Sequence, residues 1–254
     1  MSAQNKSKSK ENIIPKKIGT LYGVGVGPGD PELLTVKAIH ILGKVDIIFT
    51  AASPGNDYSI AQKIATPYLK PGIEVRRLNF PMVDRNDKVT LTSTWRANAE
   101  KIAIVLQQGL SAAFLTLGDP LIYSTYSYIL PYLTEILPTS AIVTIPGITS
   151  YQLAASRLNQ PLVSGLESLT ILSGVENPEK LDHFLNKSDN VAILKTYRSF
   201  DQIMTLLQRK NLTGRAALFS HLGLAGEEIH VDLKNHPPTE PPYLSLMIVK
   251  TGGC

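Results

Sequence analysis

Short apolar runs alternate with segments of helical periodicity along the first 160 residues. The apolar runs have strand length, and each is followed by a turn and then by apolar residues at helical spacing. This alternation predicts a mostly parallel sheet with helices on both faces. The predicted strands are 18–26, 45–50, 73–78, 112–117 and 140–145. Helices are predicted from Pro31 (with Asp30 as N-cap), from the loop at 53–57 to about Leu69, over Trp95–Gln108 and from Tyr123 onward. A further helix is predicted from the turn at 146–150 to about Leu158.

A different pattern follows a connector at 161–167, which is rich in turn-forming residues. Strands are predicted at 169–172, 191–194, 216–219, 228–233 and 243–249, and helices at 178–186 and 200–209. No helix-length segment separates the last two strands, so they are predicted to be antiparallel neighbours in a mixed sheet. The chain is therefore interpreted as two α/β domains, 18–160 and 161–254, after a tail at 1–17.

The formal net charge of +4 is concentrated in the tail, and this changes its meaning. The tail is polar and is predicted to be disordered. Its charged residues are Lys6, Lys8, Lys10, Glu11, Lys16 and Lys17. The remaining chain is balanced and has no basic surplus, so a nucleic-acid partner is not expected. The single cysteine, Cys254, and the lack of an apolar stretch of membrane-spanning length predict a cytoplasmic protein without a membrane partner.

The first candidate for an active site is the turn that follows the apolar run at 112–117. Gly118-Asp119-Pro120 cannot continue a central strand, because glycine frees the backbone and proline lacks an N–H donor. The hydroxyl-rich segment 123–128 then opens a helix. In open α/β sheets, ligands bind beyond the carboxyl ends of the strands. The carboxylate and hydroxyls of this turn are placed there.

A second glycine-rich turn, 23–29, separates the first strand from the first helix. It resembles a dinucleotide loop, but the required third glycine is replaced by Pro28 or Asp30, depending on the register. A carboxylate at the helix start would repel a pyrophosphate. No Gly-Lys-Ser/Thr follows, which excludes a P-loop. Taken alone, this loop is a tight turn that caps a helix.

Three motifs together carry more information than either turn. G-x-G-x-G-P-G-D-P-x-L-L-T starts at Gly23, G-D-P-x-x-Y starts at Gly118, and P-G-I-T-S starts at Pro146. Each lies where a predicted strand gives way to a helix. Their order and spacing resemble the tetrapyrrole methylase family of class III S-adenosylmethionine-dependent methyltransferases. Tyr123-Ser124-Thr125-Tyr126 looks most like the branch that methylates C20 of precorrin-2 or its cobalt-containing counterpart in cobalamin biosynthesis.

The resemblance implies a homodimer of two-domain α/β subunits that binds S-adenosylmethionine between the domains and methylates a small tetrapyrrole. The cofactor-binding positions that it implies are Pro28, Leu117, Gly118, Asp119, Ile122, Thr149, Ser150, Lys195 and Leu222. Tyr123 is the catalytic candidate, because its phenol can orient the acceptor or help move its proton; core packing is the alternative. Asp119 either holds the ammonium group of the cofactor or caps the turn.

Several alternatives stay open from the sequence. Substrate carboxylates can pair with arginine, and the candidates are Arg76, Arg77, Arg85 and Arg96, although a solvated surface position is the commoner role. No metal site is predicted, because the histidines at 40, 183, 221, 230 and 236 have no metal-ligand spacing. The rival functions are methylation of another ring carbon, methylation of RNA or protein, and a non-catalytic relative that binds S-adenosylmethionine.

Overall fold

The computed structural model describes residues 17–52, 59–80, 87–175, 177–235 and 240–252, which form two five-stranded sheets flanked by helices. Several sequence-based expectations fall outside these ranges. They concern residues 1–16 of the predicted disordered tail, the loop at 53–57, Arg85, His236 and Cys254.

The first sheet is entirely parallel, as the alternating pattern predicts. Its strands run in the order β3-β2-β4-β1-β5. The central strand β4 is buried along its whole length, which explains its uninterrupted apolar sequence. The strands are β1 (Leu21–Gly25), β2 (Ile47–Ala52), β3 (Glu74–Asn79), β4 (Ala112–Thr116) and β5 (Ile142–Ile145).

Helices cover both faces of this sheet. The first four helices are α1 (Val36–Leu42), α2 (Ile60–Ala65), α3 (Lys88–Gln107) and α4 (Thr125–Ile136). Helices α1 and α2 pack on one face, where Leu42 and Ile64 share a core with Ile48. Helices α3 and α4 pack on the other face, where Leu106 and Ile129 share a core with Phe114. The chain therefore leaves the adjacent strands β1 and β4 toward opposite faces, which opens a crevice at their carboxyl ends.

The second sheet is mixed and has the order β6-β7-β10-β8-β9. Helices α6 and α7 cover one of its faces, and α5 covers the other with Tyr151, Leu153 and Ala154. The predicted domain boundary at 160/161 falls directly after α5 and stays a prediction. The elements are α5 (Ser150–Leu158), β6 (Leu169–Ser173), α6 (Pro178–Lys187), β7 (Asn190–Leu194), α7 (Phe200–Arg209), β8 (Ala216–Ser220), β9 (Glu228–His230) and β10 (Ser245–Lys250).

The predicted pairing of the last two strands is wrong. β10 lies between β7 and β8 and is antiparallel to both, whereas β9 pairs with β8 and with no other strand in the described ranges. The reason is burial: β10 presents a nearly continuous apolar sequence that needs the centre of the sheet, and β9 is short and mostly exposed, as an edge strand is. The prediction of a mixed sheet is confirmed.

Two predicted helix starts also differ from the structure. Asp30 caps only a short 3-10 turn, Pro31–Leu33, and α1 begins at Val36 because the Thr35 side chain accepts the N–H of Ala38 at 3.1 Å. Helix α3 begins at Lys88, seven residues before the predicted Trp95, because Asp87 caps it by accepting the N–H of Thr90. No helix in the described ranges is long and apolar enough to cross a membrane.

Candidate active site at the carboxyl ends of β1 and β4

The three motif turns meet backbone to backbone beyond the carboxyl ends of β1, β4 and β5. The N–H of Gly118 donates to the carbonyl of Gly27 at 2.8 Å. A Cβ atom on Gly25 or Gly147 would stand 2.6 or 2.2 Å from the carbonyl oxygen of Gly118, so neither position has room for a side chain. Gly25 and Gly147 are therefore required by the close packing of the three turns.

Asp119 fastens the second turn to the third. One carboxylate oxygen accepts the N–H of Leu121 at 2.8 Å, which forms a local turn. The other accepts the N–H of Gly147 at 3.0 Å. Both oxygens thus bind backbone donors, and this gives Asp119 a structural role in joining the two turns.

A cavity of 430 Å³ lies against these turns, within the range of about 300–1,000 Å³ that is typical of small-molecule sites. All ten residues that the sequence analysis singled out for the cofactor or for chemistry line this one cavity. They are Pro28, Leu117, Gly118, Asp119, Ile122, Tyr123, Thr149, Ser150, Lys195 and Leu222. Their proximity is a structural finding, and their roles in binding and catalysis stay predictions.

Thr149 and Ser150 enter the cavity lining at the start of α5. The backbone N–H and the hydroxyl of Thr149 both lie 2.9 Å from Oε1 of Gln152, in a capping arrangement at the helix N-terminus. This contact fixes Thr149 at the edge of the cavity. Ser150 is the first residue of the helix and lines the cavity beside it.

The opposite wall comes from the second sheet. Lys195 follows β7 in a left-handed conformation, with φ of 57°, and its N–H donates to the carbonyl of Ser245 at 2.9 Å. The Thr196 and Ser245 hydroxyls are joined by a buried hydrogen bond of 2.8 Å. These contacts hold the turn after β7 against the start of β10, so that both reach the cavity.

The two walls touch at Gly29 and Gly223. A Cβ atom on Gly29 would stand 2.3 Å from the carbonyl oxygen of Leu222, so only glycine fits. Glu227 holds this turn by accepting the N–H of Gly223 at 2.6 Å and Nε of Arg157 at 2.7 Å. The Arg157 guanidinium is the main cause that keeps the pKa of Glu227 below its ordinary value, and the Gly223 N–H adds to it.

Tyr123 crosses from the first wall to the second. Its phenol donates a hydrogen bond to the carbonyl of Ile171 in β6 at 2.9 Å. Its backbone has φ of 50°, which is uncommon for a bulky residue and is a form of local strain that concentrates at functional sites. With 47% of the residue exposed, Tyr123 is not a core residue, so the packing alternative is wrong.

Two of the candidate arginines are already paired within the protein. Arg76 binds Glu74 with contacts of 2.7 and 3.2 Å, and Arg96 binds Glu135 at 3.0 Å. Neither they nor Arg77 belong to the cavity lining. Within the described ranges, no three histidine, cysteine or acidic side chains form a group that can hold a metal ion.

Sequence reasoning missed part of the lining. Ala51 and Ala52 end β2, Phe80 follows β3, and Tyr243 and Ser245 stand at the start of β10. The first three follow from the rule that strand ends of a parallel sheet meet at one edge. Tyr243 and Ser245 follow only from the insertion of β10 between β7 and β8, which the sequence analysis did not predict.

Comparison with known proteins gives consistent matches across most of the chain. The family profile described as Tetrapyrrole (Corrin/Porphyrin) Methylases matches residues 20–235. The cobalamin biosynthesis protein CobIJ of Mycobacterium tuberculosis is 33% identical over 92% of this chain and 46% of its own length. The chain therefore spans about half the length of this relative.

Other relatives match over nearly their whole length. The cobalt-precorrin-2 C(20)-methyltransferase of Salmonella typhimurium is 31% identical, over 91% of this chain and 96% of that protein. The probable cobalt-precorrin-2 C(20)-methyltransferase of Methanocaldococcus jannaschii is 37% identical, over 94% of this chain and 98% of that protein.

Solved structures support the fold. The crystal structure of the methyltransferase CobJ has a TM-score of 0.66 at 18% identity, over 91% of this chain and 94% of that one. The uroporphyrin-III C-methyl transferase from Thermus thermophilus, complexed with S-adenyl homocysteine, has a TM-score of 0.61 at 20% identity, over 91% and 97% of the two chains. The predicted two-part α/β fold is confirmed.

Proposed function

Because this chain belongs to the tetrapyrrole (corrin/porphyrin) methylases, we propose that it methylates C20 of precorrin-2 or cobalt-precorrin-2, with S-adenosylmethionine as the methyl donor. Relatives whose names state this reaction are 31–37% identical to the chain over 91–94% of its length. The single observation that carries the proposal is the convergence of the three family motifs on one cavity.

The residues of the cavity suit the proposed cofactor. Gly118 lines it with φ of 69°, and the nearest heavy atom to an added Cβ is 4.0 Å away, so the missing side chain leaves space beside the cavity. Leu117, Ile122 and Leu222 provide apolar surface, while Thr149 and Ser150 provide hydroxyls. In this assignment they hold the cofactor together with Pro28, Asp119 and Lys195. When bound, the cofactor supplies an electrophilic methyl group on its sulfonium.

The protein contributes alignment more than acid–base chemistry in this proposal. Methyl transfer from a sulfonium is an in-line displacement, and the C20 carbon of a reduced tetrapyrrole is already a nucleophile. Tyr123 donates its hydroxyl hydrogen to the carbonyl of Ile171, and its oxygen lone pairs remain available to accept a hydrogen bond. We therefore assign Tyr123 to orienting the acceptor at the cavity edge.

The finer parts of the assignment are also proposals. We propose a cytoplasmic homodimer, with a small tetrapyrrole as substrate and without a nucleic-acid or membrane partner. These statements rest on the family resemblance, the balanced charge of the chain beyond residue 17 and the single cysteine.

The test is an anaerobic incubation of the purified protein with S-adenosylmethionine and precorrin-2, with and without inserted cobalt. The readouts are S-adenosylhomocysteine formed, product mass and the position of the new methyl group by NMR. One methyl group at C20 supports the proposal, and comparison of the two arms identifies the metal state. A methyl group at another carbon, or cofactor binding without turnover on either substrate, contradicts it.

A further inference from the structure

An aromatic and cationic cluster stands at the cavity on the side of the second sheet, outside the three family motifs. Tyr243 lines the cavity and is 58% exposed. The ring of Tyr197 lies 5.2 Å from that of Tyr243, at 51° between the planes. The guanidinium carbon of Arg198 lies 5.5 Å from the centre of the Tyr197 ring. We refer to these three residues as the aromatic corner.

The backbone of the aromatic corner is fixed by buried contacts. Tyr197 and Arg198 lie in a 3-10 turn directly after Lys195, and Tyr243 lies two residues before the start of β10. The hydrogen bonds from Lys195 and Thr196 to Ser245 tie these two segments together. These contacts hold Tyr243 at the cavity wall, with Tyr197 and Arg198 packed beside it.

The contacts of Arg198 distinguish it from four other arginines of the chain. Arg76, Arg96, Arg157 and Arg209 each contact a carboxylate of the protein. Arg198 forms no ion pair with any carboxylate in the described ranges; its Nε instead donates to the Tyr197 hydroxyl at 2.7 Å. That contact directs Nε to the tyrosine, and the two terminal nitrogens provide the remaining donors of the guanidinium.

A tyrosine face in the cavity wall and an exposed guanidinium beside that wall suit a flat ligand with acidic side arms that extend beyond the cavity. Arginine binds carboxylates through charge-assisted, often bidentate hydrogen bonds. Desolvation is the main cause that raises the pKa of the Tyr243 phenol, Tyr197 raises it further and Arg198 lowers it. Tyr243 therefore remains neutral near pH 7 and offers an uncharged face for stacking.

We infer that the aromatic corner recognises the methyl acceptor: a planar conjugated ring packs on Tyr243, and one of its carboxylate side arms binds Arg198. This inference rests on the proposed function, because it assumes that the acceptor is an acidic tetrapyrrole. It adds a recognition element that selects the acceptor and leaves the methyl donor unaffected. Tyr197 acts as a positioning residue that holds both partners.

The test uses binding and kinetics of the full-length protein. The probes are uroporphyrin and coproporphyrin, which share a planar ring but differ in their number of carboxylates, with binding followed by fluorescence. Arg198→Ala should weaken uroporphyrin binding about tenfold, lower its salt dependence and reduce the preference for uroporphyrin over coproporphyrin. Tyr243→Leu should weaken both porphyrins by similar factors. Arg198→Lys should recover part of the salt dependence.

Controls separate recognition from folding and from the proposed function. Arg209→Ala removes an exposed arginine of the same domain and should change neither porphyrin affinity. S-adenosylhomocysteine affinity should stay within twofold in every variant, which also reports correct folding. If precorrin-2 is methylated but Arg198→Ala and Tyr243→Leu leave its KM and the porphyrin affinities unchanged, the inference is overturned and the proposed function stands. If porphyrins bind at the aromatic corner but no precorrin-2 is methylated, the proposed function fails and the recognition of acidic rings is supported.

Discussion

The carboxylate of Asp119 binds the backbone N–H of Gly147 at 3.0 Å, although 28 residues separate them in sequence. The contact joins the turn after β4 to the turn after β5, across the intervening strand β1. A charged acceptor makes this bond stronger than a neutral pair. The Gly-Asp-Pro turn is thus held in place by the same residue that faces the cavity.

We expect Asp119→Asn to weaken S-adenosylhomocysteine binding about tenfold and to lower the melting temperature. Asparagine keeps the size of the side chain but has one acceptor oxygen, so it cannot serve both the Leu121 and the Gly147 N–H groups. Hydrogen bonds to charged groups contribute about 1.5–3 kcal/mol. Calorimetric titration and thermal unfolding measure the two effects.

Asp46→Asn is the matched control for this change. Asp46 also accepts a backbone N–H, that of Ser111 at 2.9 Å, but it lies at the other end of the sheet and does not line the cavity. It should lower stability without changing cofactor affinity. Equal cofactor affinity in Asp119→Asn and wild type would show that the contacts of Asp119 with Leu121 and Gly147 do not shape the site.

We expect Gly29→Ala to lower cofactor affinity about tenfold or more. The new Cβ meets the carbonyl oxygen of Leu222 at 2.3 Å, and backbone on both sides must shift to relieve the clash. Overpacking of this kind costs about 1–3 kcal/mol. Gly214→Ala is the control, because no heavy atom lies within 4 Å of a Cβ added there. Calorimetric titration of both variants with S-adenosylhomocysteine gives the comparison.

We expect Tyr123→Phe to reduce kcat/KM about three- to tenfold without altering the shape of the pH–rate profile. The variant loses one neutral hydrogen bond, to Ile171, which contributes about 0.5–1.5 kcal/mol. Because that phenol donates its hydrogen to a carbonyl, its role in the proposal is orientation. Tyr128→Phe, outside the cavity lining, should retain full activity. A lost ionisation in the profile of Tyr123→Phe would instead assign proton transfer to this phenol.

We expect the stability difference between wild type and Glu227→Gln to depend on pH. The folded-state pKa of Glu227 is depressed, chiefly by Arg157, so its ionised form stabilises the fold at pH values above the unfolded-state pKa of about 4.3. This contribution, about 1 kcal/mol or less for a partly exposed pair, should disappear as the pH falls through the depressed pKa. Urea unfolding between pH 7 and pH 3 tests the sign.

Glu100→Gln makes the same chemical change on an exposed residue of α3 and serves as the reference. Its stability difference from wild type should be much smaller than that of Glu227→Gln at neutral pH. A difference for Glu227→Gln that persists unchanged in acid would show that packing, and not the ion pair, accounts for the effect.

Convergence of the cavity residues was predictable where it depends on local sequence and on parallel strands. Gly118, Asp119 and Thr149 each follow an apolar strand, and the carboxyl ends of adjacent parallel strands meet at one edge. The sequence signal was therefore sufficient for the first wall of the cavity. The sequence pattern predicted which residues meet, and the experiments above test what these residues do.

The remaining features depend on contacts between segments distant in sequence. The approach of Gly29 to Gly223 and the bond from Tyr123 to Ile171 require both sheets to be in place. The position of Tyr243 requires β10 at the centre of its sheet, whereas chain proximity favoured a pair with β9. The sequence did contain a clue to these positions in the sheet. Glu228–His230 is mostly polar, as an edge strand is, whereas Ser245–Lys250 is mostly apolar, as a central strand is.

The central place of β10 has a consequence for biosynthesis. The first sheet has all of its strands once residue 145 is made, but the second cannot join β7 to β8 until residues 245–250 are made. Domains generally fold as units while the chain is being synthesised, and synthesis adds about 5–20 residues per second. The pairing of β10 with β7 and with β8 can therefore form only after residues 245–250 have been made. Ser245 and Leu246 of β10 also line the cavity, so the cavity wall is complete only after this strand is in place.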